Sequence, residues 1–276
     1  MTASLRRLKA FLAHENQLVI VTVETARGST PREEGAVMLV SPTHSCGTIG
    51  GGHMEFLGVE NARALLAGAK GDIAGNTRLD IPLGPEIGQC CGGRVVLSFT
   101  HATPQARAEL LDRLARREAE APQIWLFGGG HVSHALCDAL KLLPVHVTVV
   151  ESRASALDGL GPDTTTRVVA MPEAQVRDIP SGSAIVILTH DHAQDFLIAA
   201  EALTRDDLAF VGMIGSRTKR ATFSSWFVRE GGNPDHLARL TLPVGGTAVH
   251  DKRPEVIAAL TAAELITVLL KDVPHV

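Results

Sequence analysis

The feature that most constrains this chain is a change of rhythm after Pro122, where short apolar runs begin to alternate with helical stretches. Ile124–Phe127, Val145–Val150, Ala184–Leu188 and Leu208–Val211 read as strands, with helices expected near 131–142, 193–203, 216–230 and 255–270. A helix between consecutive strands excludes tight hairpins and demands crossovers, which are right-handed and build a parallel sheet. Residues 123–276 are therefore expected to form a Rossmann-like, doubly wound α/β domain.

The first half has a different order. Leu5, Leu8 and Leu12 recur at helical spacing, and a β-branched run from Val19 to Thr25 follows. A second strand is expected over Ala36–Val40, a helix over Met54–Ala67, and strands near Arg78–Ile81 and Val95–Phe99. This mixture reads as a smaller N-terminal α+β domain over residues 1–103. Residues 104–120 look like a charged helix with a narrow apolar stripe of Leu110, Leu111 and Leu114. It is expected to link the domains over 104–122, with its Arg and Glu side chains forming a solvated face.

Composition supports two domains and removes several functions. At roughly 150 residues per domain, 276 residues give room for two, and 45% hydrophobic residues suffice for two cores. A net charge of −4 and no run of like charges argue against nucleic-acid binding, which needs a concentrated basic surface. No apolar run approaches the ~20 residues of a membrane span. The segment MTASLRRLKAFLAHENQ lacks the apolar length and cleavage site of a signal peptide. Four cysteines, with Cys90 and Cys91 adjacent, do not make a disulfide framework, so a reducing, cytoplasmic home is expected.

In the second half, Gly128-Gly129-Gly130-His131-Val132-Ser133 joins an expected strand to an expected helix. That is where a glycine turn can receive a pyrophosphate. Gly128 and Gly130 fit the first two glycines of the pattern, and Ser133 stands at the third. Glu151 ends the next strand, where a carboxylate can accept from a ribose hydroxyl, and Arg153 nearby suits a phosphate instead. The same turn also serves as a plain strand–helix junction. Thr189-His190-Asp191-His192 with Asp195, Gly215-Ser216-Arg217 with Lys219, and Pro243-Val244-Gly245-Gly246 fall at other strand carboxyl ends, the edge along which such sheets bind ligands. Asp191 also suits a helix N-cap. His190 and His192 are too few for a metal site.

Three glycine-dense loops mark the first half: Gly28–Arg32, Gly47–His53 and Gln89–Gly93. Glycines at Gly51 and Gly52 permit close approach of backbone to a ligand. Ser29 and Arg32 suit a phosphate or carboxylate, and His53 and Glu55 an acid, a base or a hydrogen bond to a heterocycle. Cys90 and Cys91, beside Gln89, read either as buried thiols or as soft ligands open to a metal or to sulfur exchange.

Taken together these stretches resemble the XdhC/CoxI family of accessory factors for xanthine dehydrogenase and related molybdenum hydroxylases. The matches run through Gly28-Ser29-Thr30-Pro31-Arg32, Gly47-Thr48-Ile49-Gly50-Gly51-Gly52-His53-Met54-Glu55 and Gly88-Gln89-Cys90-Cys91-Gly92-Gly93. In the second half they include Gly128-Gly129-Gly130-His131-Val132, Glu151-Ser152-Arg153, Thr189-His190-Asp191-His192 and Gly212-Met213-Ile214-Gly215-Ser216-Arg217. Ser133 and His134 depart from the family's usual Gly-Arg. The resemblance implies a dimeric, cytoplasmic chaperone without classical catalytic residues. It would bind the molybdenum cofactor (molybdopterin), support its sulfuration with a cysteine desulfurase as donor, and insert it into the hydroxylase. An NAD(P)-dependent oxidoreductase built on the Rossmann half is the alternative, and a scaffold without cofactor affinity is a third class.

Overall fold

The computed structural model describes residues 3–68, 77–84 and 92–271. Two compact units divide the chain, one built on Ser4–Ala119 and the other on Glu120–Val273.

The first unit is built on an antiparallel sheet of five strands: β1 (Val19–Arg27), β2 (Val37–Val40), β3 (Ser45–Gly47), β4 (Arg78–Pro82) and β5 (Arg94–His101). Their order is β3-β2-β1-β5-β4. Helices α1 (Ala3–His14), α2 (Gly52–Leu66) and α3 (Pro104–Ala119) cover it. Alternation along the strands explains the layering, because successive side chains point to opposite faces. In β2, Met38 and Val40 join Met54 and Ala62 of α2 in one core, while Val37 and Leu39 join Leu8, Leu12 and Leu110 of α1 and α3 in another. A strand apolar at every position is what a sheet covered on both faces requires.

Helix α3, expected as a linker, instead packs inside the first unit. Leu110 is buried beside Leu18 and Ile20. The Arg107 guanidinium, expected to be solvated, donates to the carbonyls of Leu12, Glu15 and Asn16, where α1 leaves its last carbonyl groups unpaired. The narrow stripe is enough because Arg107 adds polar anchoring to it.

The second unit has six parallel strands: β6 (Gln123–Phe127), β7 (His146–Glu151), β8 (Thr164–Val168), β9 (Ala184–Ile187), β10 (Phe210–Met213) and β11 (Leu240–Thr241). Their order is β11-β10-β9-β6-β7-β8. Counted from β6 this is 3-2-1-4-5-6, the doubly wound dinucleotide-binding order, with its switch point between β6 and β9. Ile124 and Leu126 face α4 (His131–Leu140) and α7 (Pro254–Leu269), whereas Trp125 and Phe127 face α5 (His192–Thr204) and α6 (Arg217–Arg229). Strands β3, β8 and β11 escaped sequence reading. β8 is an exposed edge of the sequence TTTRV, with no apolar run to reveal it.

Candidate functional site

In the first unit the glycine loops come together. Gly93 lies so close to the 27–29 backbone that a Cβ there would overlap the Ser29 carbonyl oxygen. Gly50, at φ +132°, sits under Pro31, and a Cβ would come 2.5 Å from the proline ring. Both contacts demand glycine, and they fasten the 28–32 loop to its two neighbours. The first two glycine loops, and Gly93 at the end of the third, thus meet in space. Leu83 and the Gly92-Gly93 pair exchange backbone hydrogen bonds of 2.8 Å at the base of the third loop. Gln89, Cys90 and Cys91 lie outside the described residues.

The side chains of this cluster divide into two sets. Ser29, Arg32, Gly52 and His53 are exposed, and among the described residues no carboxylate pairs with Arg32. The His53 ring stacks on Phe56, with 5.9 Å between centroids and 22° between planes, and Phe56 is 58% exposed. Glu55 behaves differently. Its Oε2 accepts from the Thr48 hydroxyl at 2.5 Å, from Ile49 N at 3.2 Å and from Gly51 N at 3.1 Å. The carboxylate expected as an acid, a base or a heterocycle partner closes the glycine loop at the start of α2. It supplies there the negative group that the loop N–H groups would otherwise seek.

The second unit repeats the device with a more distant carboxylate. Gly128, at φ +110°, lies against the β9 exit, where a Cβ would come 2.6 Å from the Leu188 carbonyl oxygen. Ser133, at the third glycine position, is fully buried and donates its hydroxyl to the Gly128 carbonyl. The departure from glycine is therefore absorbed by a hydrogen bond across the turn. Glu151 is 3% exposed. Its Oε2 accepts from Gly129 N at 2.8 Å, and its Oε1 accepts from Ser152 N at 2.8 Å and Arg153 N at 3.1 Å. The Arg153 guanidinium reaches both oxygens, at 3.3 and 3.2 Å. Burial alone pushes the Glu151 carboxyl up, but Arg153 and the three backbone donors outweigh it and hold the pKa down to about 2. In this arrangement Glu151 pins the turn, and the ribose acceptor role expected of it has no oxygen to spare.

Along the same sheet edge, Thr189 follows β9 and donates both its N–H (3.2 Å) and its hydroxyl (2.7 Å) to Asp195 Oδ1. Asp195 is fully buried and pairs with the Lys219 ammonium, which also donates to the Ile214 carbonyl at 2.9 Å. Ser216 caps α6 by accepting from Lys219 N at 3.2 Å. Of the two cations expected to face an anion here, Lys219 is engaged and Arg217 stays exposed. Asp191 caps α5, while His190 and His192 are exposed. No group of three His, Cys, Asp or Glu among the described residues could hold a metal ion. The Asp195–Lys219 pair was missed in the sequence because its partners lie 24 residues apart on different helices.

Comparison with known proteins adds to this geometry. A profile of the XdhC Rossmann domain matches residues 124–265, and one of the XdhC and CoxI family matches residues 11–74. An uncharacterised Escherichia coli protein, YqeB, is 26% identical over 248 residues, covering 88% of this chain and 42% of its own length. This chain thus spans less than half of that relative. A solved structure from Bacillus halodurans, described as a xanthine dehydrogenase, superposes with a TM-score of 0.78 at 18% identity, covering 99% of this chain and 97% of the other. At that identity the likeness establishes the fold.

Proposed function

Because the chain belongs to the XdhC and CoxI family, we propose that it is an accessory factor in the maturation of a molybdenum hydroxylase of the xanthine dehydrogenase type. In this reading it binds the molybdenum cofactor as cargo, supports its sulfuration and delivers it to the apo-hydroxylase, with a cysteine desulfurase as sulfur donor and a second copy of itself as partner. The observation that carries the reading is the meeting of the 28–32 loop with Gly50 of the second glycine loop and with Gly93, the described end of the third, Gly93 lying against Ser29 and Gly50 against Pro31.

The donor set fits an anionic, phosphate-bearing pterin. Ser29 and Arg32 are exposed beside the converged loops, and Arg32 offers a planar fork suited to a phosphate. The His53–Phe56 pair supplies an accessible aromatic face suited to a planar ring. Glu55 serves the loop and is assigned no ligand contact. Cys90 and Cys91, which lie outside the described residues, are proposed on their chemistry alone as soft groups for the cargo's metal or sulfur.

Incubating the purified protein with molybdenum cofactor and measuring molybdenum after gel filtration tests the proposal. Near-stoichiometric retention is expected, reduced in Arg32→Ala and in Cys90→Ala or Cys91→Ala. Wild-type protein emerging free of molybdenum would end the cofactor reading. Full retention and sulfuration in both cysteine variants would remove the thiols from it.

A further inference from the structure

The second unit carries a feature that a cofactor-delivery role does not use. A cleft of about 840 Å³ opens beside the β6–α4 turn, lined by Gly129, Gly130 and His131 on one element and by Arg153 and Ser155 on the next. We propose that this cleft binds a dinucleotide carrying an extra phosphate on the 2′-hydroxyl of its ribose, NADP(H) rather than NAD(H) in type, with Arg153 as the phosphate-selecting residue.

Strand order is the first support. The 3-2-1-4-5-6 arrangement places the Gly128–Gly130 turn beside the switch point between β6 and β9, and the carboxyl end of β7 next to that turn on the other side of β6, so the cleft lies between the glycine turn and the β7 exit. At Gly130 a Cβ would meet nothing, so the turn is open to the cleft there, whereas Gly128 packs on Leu188 and Gly129 on the Ala156 carbonyl.

The state of Glu151 decides which nucleotide. A ribose with free hydroxyls needs a carboxylate oxygen to accept from them. Two carboxylate oxygens offer about four lone-pair sites, and those of Glu151 already receive the N–H groups of Gly129, Ser152 and Arg153, the Ser152 hydroxyl and the Arg153 guanidinium. Glu151 is also buried, so a hydroxyl has neither a free acceptor nor access to one. The neighbouring Arg153 side chain is 51% exposed and lines the cleft. It spends Nε and one Nη on Glu151, and its remaining donors suit a phosphate dianion. Asp138, Asp158 and Glu255 share the lining and repel anions, which confines the attraction to the stretch that Arg153 reaches.

The test is a titration of the full chain with NADPH and NADH, ligands that differ only in the ribose phosphate, followed by nicotinamide fluorescence and calorimetry. NADPH is expected to bind at least about tenfold more tightly, the size of one charge-assisted contact. Arg153→Met should bring NADPH to the affinity of NADH, and Arg153→Lys should restore part of the preference. Equal affinity of wild-type protein for the two ligands, or binding of neither, overturns the proposal without recourse to a variant. So does a preference that survives in Arg153→Met. The molybdenum cofactor plays no part in this measurement, so its outcome is independent of the delivery function.

Discussion

The glycine loop at 47–52 and the glycine turn at 128–130 are both closed by a carboxylate accepting backbone N–H groups, but the carboxylates come from different distances. Glu55 lies on the helix that the loop begins and stays partly accessible, within seven residues of Thr48. Glu151 arrives from the neighbouring strand, 22 residues from Gly129, and is buried with Arg153 beside it. Asp195, buried against Lys219, secures the β9 exit on the same edge. A locally closed loop can open without disturbing its sheet. A turn closed from a second strand is tied to the core, because opening it strands a charge away from water. The first unit thus presents its loop chemistry to solvent, whereas the second uses equivalent chemistry to hold its sheet edge rigid.

The strongest challenge to this contrast is at Asp195. Asp195→Ala leaves the Lys219 ammonium buried without its partner and is expected to cost about 3–5 kcal/mol, measured as a shifted urea midpoint. The double variant Asp195→Leu/Lys219→Met should recover part of that loss, since apolar groups of similar volume remove both charges but leave the Thr189 N–H and hydroxyl without their acceptor. A small loss in Asp195→Ala would mean that the edge is not held by buried charge.

Next in size is Glu151→Gln, expected to cost about 2–3 kcal/mol at neutral pH, because the neutral amide offers one acceptor oxygen to the backbone N–H groups and the Arg153 guanidinium that the carboxylate receives on two. Because the folded-state pKa is depressed to about 2 from 4.5, this stabilisation is fully present above pH 4.5 and is lost as pH falls towards 2. The gap in unfolding free energy between wild type and Glu151→Gln should therefore close across that window. A gap independent of pH would separate the stabilisation from the charge.

Glu55→Ala should cost less, about 1–2 kcal/mol for hydrogen bonds at a partly accessible site, with hydrogen exchange rising at Ile49 and Gly51 while the strands stay protected. A loss larger than that of Glu151→Gln would reverse the contrast between the units. Smallest in stability is Arg32→Ala, expected within about 0.5 kcal/mol of wild type although it lowers cofactor retention. A large thermal shift there would make Arg32 a structural residue.

Much of the fold was legible in the chain itself. The strand–helix alternation after Pro122 specified the parallel sheet, because apolar periodicity is local and strands buried on both faces read as continuous apolar runs. The three glycine loops could also be read directly, since an unusual density of glycine is visible wherever the loops finally sit. Strand β8 could not be found, because an exposed edge strand carries no apolar signature. Helix α3 read as a linker because the anchoring of Arg107 on the end of α1 joins residues more than 90 positions apart.

What only tertiary structure decided is the employment of each charge. Sequence named Glu55, Glu151, Asp195 and Lys219 as polar groups near glycine loops, and it assigned the two glutamates to ligands. Folding brought Gly129 to Glu151 and Lys219 to Asp195, and a buried carboxylate takes whatever donors lie within reach rather than remain unsatisfied. Residue type and spacing determine which groups are available. Burial and long-range neighbours determine which of them remain free to meet a ligand, and that information does not exist until the chain has folded.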